Sequence, residues 1–85
     1  MTGIMKSESP DLSDLIGKRI RKFRMTAKMS QEELAEKSGL HRTYISSCER
    51  GTRNITVVNL NRICGALCIN LGTFFNASIK EDLSD

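Results

Sequence analysis

Aromatic residues are scarce in this sequence. It has no tryptophan, and Phe and Tyr together make up 5% of its 85 residues. A chain of this length forms one small domain, and so few large rings suit a compact helical core better than a β-sandwich. The core will be modest, so added stability from a second subunit is plausible. We therefore predict a single all-α domain.

Long apolar runs and paired cysteines are also missing. No stretch approaches the roughly 20 apolar residues of a membrane-spanning helix, and the opening residues MTGIMKSES lack the apolar segment of a secretion signal. The three cysteines, Cys48, Cys64 and Cys68, are odd in number and fit no disulfide framework. We expect a cytoplasmic protein that makes no membrane contact.

Acidic residues are absent from one segment. Between Lys18 and Lys28 there are six Lys and Arg residues and no Asp or Glu, whereas residues 80–85 contain one Lys and three acids. A basic body with an acidic tail favours a polyanionic partner over an acidic substrate. Most of the basic segment is expected to be a solvated helix face, with one or two members at most meeting phosphate.

Capping residues and apolar spacing predict a compact bundle of five helices. The first follows the start signals Ser9, Pro10 and Asp11. Ser30 precedes a second helix over about 31–38, and Gly39 ends it. A third runs over about 42–50, Thr56 caps a fourth, and Asn70 begins a short fifth. The inward positions predicted for the first and fourth helices are Ile16, Ile20, Phe23 and Ala27, and Val57, Leu60, Ile63 and Leu67.

The domain boundaries follow from the same signals. Residues 1–9 are expected to be flexible, 10–78 to form the domain, and 79–85 to form the acidic tail. Within the domain, the second and third helices are separated by only a few residues. Ala35 is small where helices must cross, and Gly39 stands where a tight turn requires a positive φ. With apolar Leu34 and Ile45 to lock the pair, this spacing predicts a helix-turn-helix.

Residues 16–75 resemble the Cro/phage-repressor (XRE) type of helix-turn-helix domain. The stretch RTYIS at 42–46 and the residues that follow it, Glu49, Arg50, Arg53, Asn54 and Thr56, resemble the restriction–modification controller proteins. These are small dimeric regulators that bind operators near their own gene and the endonuclease gene. Cys48 departs from the family, which usually has a larger aliphatic residue there.

The resemblance implies a role for each matching residue. The third helix would enter the major groove by its N-terminal end, with Arg42 on guanine and Thr43 on a base or a thymine methyl group. Gln31, at the start of the second helix, would lie at a phosphate. The remaining residues implied to contact bases, phosphates or the minor groove are Tyr44, Ser46, Ser47, Arg50, Arg53 and Asn54.

Two structural roles are expected beside the DNA contacts. The resemblance implies an ion pair between Arg24 and Glu49. Phe74 and Phe75 cannot both point into so small a core, so Leu71, Phe74 and Phe75 are the candidates for the interface of a homodimer. Operator DNA and a second copy of the chain are the expected partners, with RNA polymerase as a further candidate.

No enzyme chemistry is expected. His41 and Cys48 are seven residues apart, about 10 Å along a helix, which is too far for a hydrogen bond. Cys64 and Cys68 are predicted to be buried apolar side chains, because no second pair completes a metal site. No cofactor, metal or small-molecule ligand is expected. The alternatives to a controller protein are a prophage-type repressor, an antitoxin, and a protein-interaction (antirepressor) module without DNA binding.

Overall fold

The computed structural model describes residues 11–76, which form five helices and no strand. The helices are α1 (Leu12–Thr26), α2 (Gln31–Ser38), α3 (Arg42–Glu49), α4 (Val57–Ala66) and α5 (Leu71–Phe74). The predicted all-α class and the order of the five helices are therefore confirmed. The expected flexible segment 1–9, the acidic tail 79–85 and both ends of the predicted domain 10–78 lie outside the described residues.

Short polar side chains begin four of the helices. Each accepts a hydrogen bond from a backbone N–H of the first turn, which would otherwise lack a partner. Ser30 Oγ accepts from Glu33 N–H at 3.0 Å, and Thr56 Oγ1 accepts from Asn59 N–H at 3.0 Å. Asp11 and Asn70 cap α1 and α5 in the same way. The starts of α2, α4 and α5 are where the sequence predicts them.

A residue in the left-handed conformation follows each of the first four helices. In each case the N–H of the next residue bonds back to a carbonyl of the last turn, which turns the chain sharply. Glycine occupies two of these positions. The four residues, with their φ angles, are Lys28 at 58°, Gly39 at 75°, Gly51 at 75° and Cys68 at 62°. The predicted role of Gly39 is thereby confirmed.

One apolar cluster joins all five helices. Its fully buried members include Ile20 of α1, Leu34 of α2, Ile45 of α3, Ile63 of α4 and Phe74 of α5. Burial of these side chains supplies most of the stability available to a domain of this size.

Three predicted core positions are wrong. Val57 is 70% exposed, because the start of α4 faces solvent and the helix enters the core only from Leu60 onward. Ala27 is exposed at the end of α1. Cys68 is exposed because its left-handed backbone turns the side chain into solvent, while Cys64 is buried as predicted.

The basic segment of α1 divides into a buried and an exposed side. Lys18, Arg21 and Lys22 are exposed, but Arg19 is only 5% exposed. Arg19 Nε donates to Phe74 O at 2.7 Å, and the Arg19 guanidinium lies 5.6 Å from the ring centroid of Phe23. The expectation of a solvated face is therefore wrong for Arg19, which joins α1 to α5.

Candidate nucleic-acid interface

α2, a three-residue turn and α3 form the helix-turn-helix unit. Leu34 and Ala35 of α2 are buried with Ile45 of α3, and Gly39 begins the turn. His41 is the N-cap of α3 and makes no side-chain capping bond. The turn is closed by backbone hydrogen bonds and packing, as in other helix-turn-helix units.

The exposed side of α3 is polar. Arg42, Thr43 and Arg50 are exposed, Ser46 is half-buried, and the four positions lie within an arc of about 100° on a helix of 3.6 residues per turn. The opposite side packs against α1 and α2. We call these four residues the polar face of α3. Two of its members also contact each other, since Arg50 Nη1 donates to Ser46 Oγ at 2.7 Å.

A buried ion pair fixes α3 to α1. Arg24 Nε donates to Glu49 Oε2 at 2.6 Å, and Arg24 Nη2 donates to Glu49 Oε1 at 2.9 Å. The two side chains are only 11% and 3% exposed. Hydrogen bonding to Glu49 raises the pKa of Arg24 against the opposing effect of burial. The third arm of the guanidinium, Nη1, donates to Met29 O at 2.8 Å. The implied Arg24–Glu49 pair is present.

Gln31 extends this network to α2. Its Nε2 donates to Glu49 Oε1 at 3.1 Å, so the carboxylate of Glu49 holds side chains from both α1 and α2. Gln31 is half-buried in the first turn of α2, where the backbone N–H groups and the positive end of the helix dipole favour an anion. The orientation of Gln31 therefore depends on the same acid that orients α3.

Gly17 sets how closely α1 approaches α3. A Cβ atom at this position would lie 2.1 Å from Cys48 O and 2.9 Å from Glu49 O. The backbone of α1 therefore touches the last turn of α3, and only glycine leaves room for the contact. Gly17 was not among the residues predicted from the sequence. Glycine is unfavourable inside a helix, so its presence beside the inward positions Ile16 and Ile20 could have indicated a close contact between helices.

The side chain of Tyr44, a residue of α3, packs against the segment that leads into α4 and against the start of α4. The Arg53 guanidinium lies 5.0 Å from the centroid of the Tyr44 ring, and Asn59 Nδ2 donates to Tyr44 Oη at 3.0 Å. Tyr44 is half-buried, whereas Arg53 is exposed. Asn59 was missed because its partner is in a different helix.

Burial raises the pKa of the Cys48 thiol, which lies next to Tyr44. The hydrogen bond between Cys48 and Tyr44 and the positive charge of Arg53 each lower that pKa, but by less than burial raises it.

Ser47 does not belong to the exposed surface. It is 8% exposed, and its hydroxyl donates to Thr43 O at 2.8 Å within the same helix. The prediction that Ser47 reaches bases or phosphates is therefore wrong, because this position faces the interior. Asn54 is exposed, and its Oδ1 accepts a hydrogen bond from Ser13 Oγ at 3.3 Å.

The two phenylalanines of the C-terminal segment have different surroundings. Phe74 is fully buried and stacks on Phe23 with ring centroids 5.7 Å apart. Phe75 is 47% exposed and contacts Phe74 edge-on, and Leu71 is half-buried. The prediction that Phe74 is an interface residue is wrong because no part of its side chain is accessible to a partner. Phe75 and Leu71 remain candidates.

Within residues 11–76, no group of three or more His, Cys, Asp or Glu side chains is placed to hold a metal ion. The three cysteines are free thiols. None of the helices in the same range is long and apolar enough to cross a membrane.

The helix-turn-helix family matches residues 20–74 of this chain, a range that contains the whole α2–turn–α3 unit. The chain belongs to this family. The restriction–modification control protein C.BamHI of Bacillus amyloliquefaciens is 50% identical over 54 residues, which span 62% of this chain and 67% of C.BamHI. The control protein C.MunI of a Mycoplasma species is 39% identical over 72 residues, 84% of this chain and 97% of C.MunI.

Solved structures agree with these matches. The wild-type restriction–modification controller protein C.Esp1396I superposes with a TM-score of 0.79 at 35% identity, covering 91% of this chain and all of that protein. The tetramer of C.Esp1396I in complex with its natural 35 base-pair operator matches with the same TM-score, identity and coverage. The family resemblance that the RTYIS segment indicates is therefore confirmed.

Proposed function

We propose that this chain is a sequence-specific regulator of transcription that binds operator DNA as a restriction–modification controller protein. The observation that carries the proposal is the polar face of α3, with Arg42 and Thr43 exposed in its first turn and the opposite side buried against α1 and α2. A helix supported in this way can enter the major groove by its N-terminal end.

The roles of the residues follow from their chemistry. The guanidinium of Arg42 can donate two parallel N–H hydrogen bonds to guanine O6 and N7, and Thr43 can pack its methyl group on thymine. Gln31 and the first turn of α2 would meet a phosphate. Arg50, Arg53 and Asn54 would contact the DNA backbone or the minor groove, which gives affinity with less sequence information.

The protein would act as a two-fold dimer. One recognition helix reads only a few base pairs, and two helices related by a two-fold axis would read half-sites about 34 Å apart. Such a regulator would work in the cytoplasm, with RNA polymerase as a further partner and without catalysis of its own. The complex of the similar protein C.Esp1396I with its operator, in which that protein is a tetramer, supports the binding of operator DNA by more than one subunit.

A DNA-binding titration tests the proposal. Wild-type protein is used to select duplexes from a random-sequence library, and each variant is titrated against the selected duplex and a scrambled duplex at several salt concentrations. Arg42→Ala should weaken binding to the selected duplex by about 1–3 kcal/mol and to the scrambled duplex much less. Arg53→Ala should weaken both more evenly and reduce the salt dependence by about one unit of slope.

The control is Arg21→Ala, which removes an exposed arginine of α1 outside the polar face of α3. It should leave the discrimination between the two duplexes unchanged. If Arg42→Ala lowers the affinity for both duplexes equally, Arg42 contacts a phosphate and does not read a base. If the wild type selects no duplex at all, the protein-interaction module becomes the better account.

A further inference from the structure

α1 lies between the recognition helix α3 and the C-terminal helix α5. Gly17 touches the backbone of α3, and Arg24 bonds to Glu49 of the same helix. Arg19 Nε instead donates to Phe74 O of α5 at 2.7 Å. On a helix of 3.6 residues per turn, Gly17 and Arg24 lie within about 20° of each other, whereas Arg19 lies about 200° from Gly17. Opposite sides of α1 therefore hold α3 and α5.

The bond from Arg19 restricts the direction in which Phe75 leaves the core. Phe74 O belongs to the planar peptide unit that joins Phe74 to Phe75, so a donor on this oxygen fixes the plane of that unit. α5 has only four residues, too few for a helix that is stable by itself, so its orientation comes from contacts with the rest of the protein. Arg19 is 5% exposed, and its guanidinium lies 6.0 Å from the ring centroid of Phe74, so packing holds the donor itself in place.

We infer that α1 sets the separation of the two recognition helices in the dimer, and that Arg19 is the positioning residue for this spacing. The inference rests on the proposed binding of operator DNA by a dimer. The second copy of the chain would pack on the apolar surface formed by half-buried Leu71 and exposed Phe75. The partner is then connected through Phe75 and Arg19 to α1, and through α1 to α3.

The separation of the recognition helices decides which operators the dimer accepts. Two half-sites one DNA turn apart are about 34 Å from centre to centre, and one additional base pair moves the second half-site by about 3.4 Å and rotates it by roughly 35°. A dimer of fixed geometry must deform such a duplex or lose contacts in one half-site. A dimer in which α5 moves against α1 can follow the rotation at lower cost. Arg19 would therefore contribute to specificity without touching DNA.

Duplexes of altered spacing test the inference. The duplex that the wild-type protein selects is compared with duplexes that have one base pair inserted or removed at its centre, at protein concentrations at which sedimentation shows a dimer. The wild type should bind the altered duplexes about tenfold or more weakly, which we call the spacing penalty. Arg19→Met keeps an unbranched stem that packs on the aromatic rings but removes the donor to Phe74 O, so its spacing penalty should fall to about threefold or less.

A second variant and two controls accompany Arg19→Met. Arg19→Lys retains the positive charge but has no donor at the Nε position, so its spacing penalty should be similar to that of Arg19→Met. The matched control Arg21→Met changes an exposed arginine two positions along α1 and should keep the wild-type penalty. A duplex with a single half-site should bind the wild type and both Arg19 variants equally, because the polar face of α3 is unchanged. Melting temperatures identify any variant that does not fold.

The outcomes are distinct. If either folded Arg19 variant keeps the full wild-type penalty or is a monomer, the inference is overturned, since Arg19 then has no effect on spacing or maintains the interface as a whole. A wild type that binds all spacings equally also overturns it, and this measurement does not depend on the folding of any variant. None of these results affects the proposed sequence-specific binding of DNA, which fails only if the wild-type protein selects no duplex.

Discussion

Gly17 is the residue at which α1 and the recognition helix come closest. A Cβ atom there would overlap Cys48 O at 2.1 Å, and that oxygen belongs to helix backbone, which cannot move away without shifting α3. Gly17→Ala should therefore lower the free energy of unfolding by about 3 kcal/mol or more, at the upper end of the cost of overpacking. Chemical denaturation followed by circular dichroism measures the change.

Gly65→Ala is the matched control for this prediction. Gly65 is exposed in α4, and a Cβ atom at this position would meet nothing within 4 Å. The same substitution should therefore raise stability by about 0.5–1 kcal/mol, because alanine favours the helix. Similar stability changes for the two variants would show that Gly17 is not a contact point.

At Cys68 the informative substitution is the reverse of Gly17→Ala, because here glycine replaces a residue that has a Cβ atom. It is exposed, and its φ of 62° places it in the left-handed conformation that ends α4. Because glycine adopts this conformation without the steric cost of a Cβ atom, Cys68→Gly should stabilise the protein by up to about 1 kcal/mol. Thermal unfolding of Cys68→Gly and Cys68→Ala would be compared. If the alanine variant is as stable as the glycine variant, the left-handed turn is not the cause.

At the scale of the helix, the stability of α3 depends more on bonds from Glu49 to other helices than on interactions within α3. It has only eight residues and no side-chain cap, whereas Glu49 bonds to Arg24 and Gln31 from two other helices. Glu49→Ala would leave the Arg24 guanidinium buried without its counter-charge. The free energy of unfolding should fall by about 3–5 kcal/mol.

The comparison for Glu49→Ala is Glu33→Ala. Glu33 Oε2 lies 4.0 Å from Lys37 Nζ on the exposed side of α2, and both side chains are about half exposed. An exposed pair of this kind contributes about 0.5 kcal/mol or less, so this variant should unfold almost like the wild type. A melting temperature of Glu49→Ala as high as that of Glu33→Ala would contradict a structural role for the buried pair.

At the scale of the whole molecule, α5 and the residue that follows it have apolar surface that the core does not cover. Phe75 is 47% exposed beside half-buried Leu71. We expect the wild type to sediment as a dimer at micromolar concentration and Phe75→Ser to raise the dimer dissociation constant by about tenfold or more, through lost apolar burial. Met25→Ser, which changes a 55% exposed residue of α1, is the control and should still dimerise. A wild type that stays monomeric yet protects a single half-site would contradict the assembly.

The local features of this chain could be predicted because each depends on residues within a turn or two of helix. Caps such as Ser30 and Thr56, the left-handed Gly39, and the spacing of Ile16 and Ile20 are all of this kind. The candidate interface was predictable at Arg42 and Thr43 for the same reason, since the four buried positions of α3 leave one polar arc exposed. The identity of the contacts with DNA came from the family resemblance and stays a prediction.

The sequence by itself determined five helices, their order and the helix-turn-helix, because hydrogen bonding and side-chain periodicity within a helix are local. Only the tertiary structure decided which of the polar and aromatic residues face inward. Arg19 bonds to Phe74 over a separation of 55 residues and Asn59 to Tyr44 over 15, whereas the Arg24–Glu49 bond over 25 residues was implied by the family resemblance and by nothing local. Whether such side chains are buried depends on what a distant helix brings against them, and helix periodicity within one segment contains no information about that partner.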